Sequence, residues 1–200
     1  MRIGGSNEEI EIGGTDNPIL RHPITGVPYL PGSSLKGKMR SLLELKYCLR
    51  TQQKGSPCDC GRKECKVCTV FGPHKNTTHN LGPTRILVRD ANLTEQSERI
   101  LRDAQADKGI NFSEIKPENW INRITGRAGD PRVQERVPAG TVFNINISLR
   151  IFDQDNEDDI LAFVKEGLEM IERDYIGGSG SRGYGQVKFH LECDGRPFIE

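Results

Sequence analysis

The sequence predicts an α+β fold of ferredoxin-like, or RRM-like, order, with a cysteine-rich insertion and a basic arm. Three observations carry this. Thr141–Ile151 alternates Phe143, Ile145, Ile147, Leu149 and Ile151 with Asn144, Asn146, Ser148 and Arg150, the period of a strand with one buried face. Two stretches have helical spacing: Leu35, Met39, Leu42 and Leu43, and later Ile160, Phe163, Val164, Leu168 and Ile171. Ordered along the chain, the pieces read (strand)–helix–strand–strand–helix–strand.

The elements follow in order. Met1–Ile12, with Gly4-Gly5 and apolar Ile10 and Ile12, suggests a strand end or hairpin arm. Ile12–Arg40 has two halves. Gly13, Gly14, Pro18, Pro23, Gly26, Pro28, Pro31 and Gly32 rule out a regular helix in the first and suggest a shaped loop. That loop holds Asp16, Arg21 and His22. The second half starts a helix that Ser33 or Ser34 can cap and that runs to about Leu49. Gly37, between Lys36 and Arg40, costs about 1 kcal/mol of helix propensity and invites a close approach to the helix backbone. Two cations beside a helix N-terminus suit a phosphate.

Cys58, Cys60, Cys65 and Cys68 fall within eleven residues, with Pro57 and Gly61 as turn formers. Four thiolates at this spacing can surround a tetrahedral Zn²⁺ that pins a loop. His74 or His79 could replace one ligand, and free thiols in a loop are the bland alternative. Cys48 and Cys193 read as buried thiols. Pro83–Asp90 contains a buried strand at Ile86–Val88, and a helix is expected near Gln96–Lys108.

Trp120–Gly140 interleaves Arg123, Arg127, Arg132 and Arg136 with Ile121, Ile124, Val133 and Val137, and Gly126, Gly129 and Pro131 place a turn in the middle. This is an extended basic hairpin, either a projection onto an RNA backbone or a solvated surface hairpin. The acidic block Asp153–Asp159 suits a helix start. Gly177–Gly185, with Arg182, lies between a helix and a strand carrying Val187, Phe189 and Leu191. It lacks the Lys-Ser/Thr ending of a Walker loop, and a strand rather than a helix follows it, so it reads as an ordered loop against a ligand or neighbouring subunit.

The totals set limits. Two hundred residues with balanced charge fit one domain, 1–200, with insertions at 50–82 and 118–140. No apolar run can span a bilayer and no signal-peptide pattern is present, so the expected location is cytoplasmic, where clustered cysteines favour metal over disulfides.

Gly-Gly-Thr-Asp-Asn-Pro at 13–18, Leu-Pro-Gly-Ser-Ser-Leu-Lys-Gly-Lys-Met-Arg at 30–40, and Gly-Gly-Ser-Gly-Ser-Arg-Gly-Tyr-Gly at 177–185 closely resemble the RAMP superfamily. Within it they resemble the repeated backbone subunit of type III-A (Csm) CRISPR effector complexes, and the resemblance covers nearly the whole chain. It implies an RRM-like palm, a zinc-bearing insertion and a thumb formed by the basic hairpin. The family carries a first core strand upstream, which here is absent or a stub. It further implies head-to-tail copies on a guide RNA (crRNA), paired target RNA, and other type III-A subunits as partners. His22, Ser33, Ser34, Lys36, Lys38, Arg40, Arg123, Arg127, Arg132, Gly178, Gly180 and Arg182 would contact RNA. Asp16 would cut the target by transesterification with Mg²⁺ or Mn²⁺, leaving a 2′,3′-cyclic phosphate and a 5′-OH. By its residues alone, Thr-Asp-Asn-Pro is also good turn chemistry. Two rivals stand beside this reading: a non-cleaving RNA-filament subunit, and a stand-alone endoribonuclease that matures guide precursors with His22 as base.

Overall fold

The computed structural model describes residues 1–4, 18–109, 111–193 and 195–199. The element order is α1 (Gly32–Tyr47), α2 (Leu49–Lys54), α3 (Lys66–Phe71), β1 (Ile86–Val88), α4 (Glu95–Lys108), β2 (Glu114–Ile121), β3 (Ala128–Arg136), β4 (Ile147–Leu149), α5 (Glu157–Arg173), a short 3₁₀ turn at Gly180–Arg182, β5 (Leu191–Cys193) and β6 (Arg196–Ile199). The fold is α+β. Among the described residues the strands pair as three two-stranded antiparallel sheets, β1–β4, β2–β3 and β5–β6. The chain divides into two compact units. One contains Met1–Leu30, Asp90–Asn144 and Ile176–Gly185, and the other contains the remainder.

The second unit is built on α1 against α5. Leu35, Met39 and Leu43 are buried from α1, and Ile160, Phe163, Val164, Leu168 and Ile171 from α5, as their spacing predicts. Gly167 lets the helices close: a Cβ there would overlap Met39 and Leu43 side chains. Asn156 caps α5 by accepting the Asp159 N–H at 3.0 Å, and Glu157, Asp158 and Asp159 occupy its positive end. The start of α1 differs from expectation. The N-cap is Pro31 and no side chain caps the helix, so Ser33 and Ser34 lie inside its first turn. Gly32 sets this start, because any Cβ would overlap the carbonyl oxygen of Val88 and the backbone of Arg89.

One acid of the 153–159 block is not at the surface. Arg85 Nε and Nη2 donate to Asp155 Oδ2 and Oδ1 at 3.0 and 2.9 Å, with both side chains 5% exposed or less. The guanidinium also lies 4.8 Å from the Phe152 ring and donates to the Pro83 carbonyl. The bonds from Arg85 hold the Asp155 carboxyl below the usual carboxylate range, as does the N–H of Phe152. A depressed folded-state pKa stabilises above the unfolded value, and that contribution is lost as pH falls through the folded one. Asp155→Asn is therefore expected to destabilise the chain by about 3 kcal/mol at neutral pH, since it strands a buried cation. Urea melts from pH 7 to 3 should show a shallower acid loss in the variant; identical acid limbs would refute the assignment.

The alternation over 141–151 is realised only partly as a strand of this unit. β4 covers Ile147–Leu149, and the ladder to β1 is extended by Arg89 N–H to Asn146 O (3.0 Å) and Arg150 N–H to Arg85 O (2.8 Å). Among the described residues, the final alternation joins a two-stranded ladder at Leu191, where β5 turns back into β6. A strand is only as long as its partner, and β1 spans three residues. Beside β4 lies a groove of about 470 Å³, lined by Ile145, Ile147, Leu149, Ile151, Leu161, Val164, Leu168, Leu191, Cys193 and Phe198 together with polar Asn146, Ser148, Glu157 and Glu192.

The first unit centres on Leu93, Leu101 and Phe112, with Val27 and Phe143 packed against them. Thr94 caps α4, accepting the Ser97 N–H at 3.2 Å, and Gly109 ends it at φ +65°. Arg2 bridges to Gly177 and Gly4 to Ile19. The long hairpin β2–β3 runs from Glu114↔Arg136 to Ile121↔Ala128. Its turn is only Asn122–Arg127. Gly129 and Pro131, expected in the turn, lie in β3. There Trp120 covers Gly129, and Asn119 faces both Asp130 and Pro131 in a bulge that puts Asp130 at φ +51°.

Candidate functional site

The four cysteines converge. Their sulfur atoms all lie within 4.8 Å of one another, with Cys58–Cys65 at 3.8 Å, Cys60–Cys68 at 3.6 Å and Cys58–Cys68 at 3.6 Å. Zinc–thiolate bonds of about 2.3 Å in a tetrahedron demand sulfur separations of about 3.8 Å, so the donor set fits a metal such as Zn²⁺. Neither histidine joins the cluster. His74 donates its backbone N–H to Cys58 O, and His79 Nδ1 accepts the N–H of Leu81. The Cys65 thiol is held down at about 4 by the hydrogen bond from the Cys68 thiol and by the Cys68 N–H, against the pull of burial.

This cluster is tied to α1 by a buried pair that composition does not reveal. Glu44, 3% exposed, accepts Arg40 Nε at 2.8 Å and the backbone N–H of Cys58 at 2.9 Å, while Arg40 Nη2 donates to Cys58 O at 3.0 Å. Arg40 thus holds the first cysteine in place. Lys38 is also engaged, 2.7 Å from Asp174 and 3.8 Å from the Tyr175 ring centre. Lys36 reaches the Ile86 carbonyl at 3.4 Å, and its pKa is lowered by burial and by neighbouring Arg40. Ser33 and Gly37 are exposed, and a Cβ on Gly37 would meet nothing within 4 Å.

In the first unit the glycine loop is locked onto the hairpin. Glu118 accepts Tyr184 Oη at 2.6 Å and Arg182 Nη1 at 2.9 Å, and these partners hold its carboxyl below the ordinary range. Gly177 and Gly185 are demanded by the chain itself: at φ +84° and +76°, a Cβ would overlap the carbonyl oxygens of Arg2 and Ile176. Gly178 donates its N–H to Arg2 O, and Gly180 opens the 3₁₀ turn. Arg123 and Arg127 are exposed at the hairpin tip. Arg123 Nη1 donates to the Ile121 carbonyl, and Arg127 has no side-chain partner among the described residues. Arg132 pairs with Asp130 at 2.9 Å.

Asp16 lies outside the described residues. The chain that follows it is anchored by Glu135, 7% exposed. Glu135 Oε2 accepts the Ile19 N–H at 2.7 Å, and Oε1 accepts Ser113 Oγ at 2.5 Å and pairs with Arg21. His22 is exposed, and its Nδ1 accepts the N–H groups of Ile24 and Thr25 at 3.3 and 3.4 Å. Glu44, Glu118 and Glu135 were not singled out from sequence. No local pattern marks Glu135, because its partners Ile19, Arg21 and Ser113 lie far away in sequence.

These features define an α+β chain with a four-cysteine cluster and a long hairpin, and comparisons with known proteins place it in a family. The model of the RAMP superfamily matches residues 1–188, and the chain belongs to that superfamily. Among its relatives are proteins named CRISPR system Cms endoribonuclease Csm3. The one from Methanothermobacter thermautotrophicus is 45% identical, covering 94% of this chain and 78% of its own. Those from Methanocaldococcus jannaschii (41%; 100% and 79%) and Streptococcus thermophilus (38%; 94% and 81%) are similar. The crystal structure of Methanopyrus kandleri Csm3 aligns with TM-score 0.59 at 27% identity, over 95% of this chain and 71% of that one. No helix among the described residues is long and apolar enough to cross a membrane.

Proposed function

We propose that this chain is the repeated crRNA-binding backbone subunit of a type III-A CRISPR interference complex, and the endoribonuclease that cuts guide-paired target RNA within it. The observation that carries this is 38–45% identity, over 94% or more of the chain, to three proteins named Csm3 endoribonuclease. Copies stack head to tail on the guide with other type III-A subunits. β1, β4 and β5 belong to a ferredoxin-like palm. Ser33, Ser34, Lys36 and the open face at Gly37 hold guide phosphates. Lys38 and Arg40, paired within the chain, support that surface. The β2–β3 hairpin is the thumb. Arg123, Arg127 and Arg132 hold backbone, Ile124 wedges between bases, and Gly178, Gly180 and Arg182 line the RNA path. Asp16, with Mg²⁺ or Mn²⁺, promotes attack of a ribose 2′-OH on the adjacent phosphate. Base pairing selects the target while the protein reads backbone and shape.

The test is cleavage of a guide-matched RNA by the assembled complex. Cuts at even spacing, with 2′,3′-cyclic phosphate ends and dependence on divalent metal, are expected. Binding without cuts would leave a filament subunit. The guide-maturation rival makes His22 a base. His22 instead organises a turn as Asn122 does at the hairpin tip, so His22→Asn is expected to retain fold and target cleavage. Metal-independent cutting of a repeat RNA by the isolated chain, lost in His22→Asn, would favour the rival.

A further inference from the structure

The chain builds the same turn twice within the first unit. At His22–Val27, His22 N–H bonds Val27 O at 2.9 Å and Gly26 N–H bonds His22 O at 2.9 Å. At Asn122–Arg127, Asn122 N–H bonds Arg127 O at 2.8 Å and Gly126 N–H bonds Asn122 O at 2.9 Å. One side chain organises each interior: His22 Nδ1 accepts the N–H groups of Ile24 and Thr25, and Asn122 Oδ1 accepts those of Ile124 and Thr125. Thr25 and Thr125 then each accept the N–H two residues on, both at 3.4 Å. Gly26 and Gly126 share φ near +68° and +67°.

What both turns display is an isoleucine. Ile24 is 88% and Ile124 95% exposed, the two most exposed large apolar side chains among the described residues. A lone exposed isoleucine needs no explanation, but one raised twice on the same hydrogen-bonded mount does. The first mount is anchored. Val27 packs against the Leu93–Leu101–Phe112 core, and Arg21 is fixed by Glu135, Ser113 and Asn111 O. The hairpin tip also carries exposed Arg123 and Arg127, a charge that suits a polyanion, whereas Arg21 beside the first turn is paired with Glu135.

We propose that the His22–Val27 turn is a second RNA-contacting tip, which inserts Ile24 between adjacent bases as the hairpin tip inserts Ile124. This rests on the reading of the hairpin as an RNA-contacting thumb. An aliphatic wedge on a rigid turn opens a base step by replacing stacking with apolar contact. Each subunit then disturbs the strand at two places.

The test uses guide and target RNAs carrying 2-aminopurine at successive positions, bound by the assembled complex. Wild type should show two sets of brightened, unstacked positions per subunit. Ile24→Ser should extinguish one set and Ile124→Ser the other, each weakening RNA binding by about tenfold or less. Ile24→Leu should keep both sets. Circular dichroism should be unchanged, because the side chain is exposed. If Ile24→Ser leaves both sets lit while Ile124→Ser removes one, this inference fails and the thumb reading stands. If Ile24→Ser breaks copy-to-copy assembly with brightening intact, the turn is a protein contact and the inference fails. Absence of any brightening in wild type rejects the thumb reading and this inference together.

Discussion

Asp16→Ala is expected to reduce target-RNA cleavage by the assembled complex about 10²–10⁴-fold while guide and target binding stay intact. The size follows from what a carboxylate can do at that point. It can hold a divalent ion that stabilises charge on the phosphate, or take the proton of the attacking 2′-OH, and alanine does neither. On the proposed reading, binding should survive because the phosphate-holding groups lie elsewhere, on α1 and the hairpin. Beyond Asp16, the Ile19 N–H and Arg21 are both held by the Glu135 carboxylate. Single-turnover cleavage and filter binding on one preparation separate the outcomes. Equal cutting in both proteins would remove Asp16 from catalysis. Loss of binding along with cutting would make it a loop-forming residue, as the turn chemistry of Thr-Asp-Asn-Pro allows.

Local patterns along the chain foretold local structure well. The stripe from Ile160 to Ile171 is the buried face of α5, the cysteine spacing forms one cluster, and the helix read near Gln96–Lys108 is α4. What stayed hidden depends on partners distant in sequence. Glu135 meets Ile19 across 116 residues, Arg182 meets Glu118 across 64, and Asp155 meets Arg85 across 70. Periodicity treats each of these acids as surface, because nothing local announces a buried cation or N–H. The start of α1 was misplaced for a similar reason: Gly32 is dictated by the Val88 carbonyl, not by a capping side chain. The glycine loop also changes meaning. Two of its glycines answer to Arg2 and Ile176 rather than to a ligand. Ile-Thr-Gly occurs at both 24–26 and 124–126, yet only geometry equates the imidazole of His22 with the amide of Asn122.

Stripping metal from the four-cysteine site is expected to have the largest effect on stability. A structural zinc contributes about 10 kcal/mol or more to the fold it organises. Here the ion would join the Cys58–Cys60 loop to the start of α3, whose Val67, Val70 and Phe71 are buried. Cys58 and Cys68 are buried, but Cys60 and Cys65 are partly open, and a cleft of about 660 Å³ lined by Tyr47, Cys48 and Arg62 runs beside them. Without an ion, four thiols face one another within 4.8 Å and gain little. The purified chain should carry about one zinc, and a strong chelator at pH 7 should lower its melting temperature by about 10 °C or more. Acid should mimic the chelator, since protons compete for the thiolates. Glu44→Gln provides a finer probe. It leaves every sulfur in place but weakens the carboxylate that receives both Arg40 and the Cys58 N–H, so metal affinity should fall about tenfold or more. A chain that holds no zinc, and melts identically with chelator and as Cys58→Ser, would reduce the cluster to free thiols. If zinc is bound but Glu44→Gln leaves its affinity unchanged, then the buried Arg40–Glu44 pair supports the helix alone.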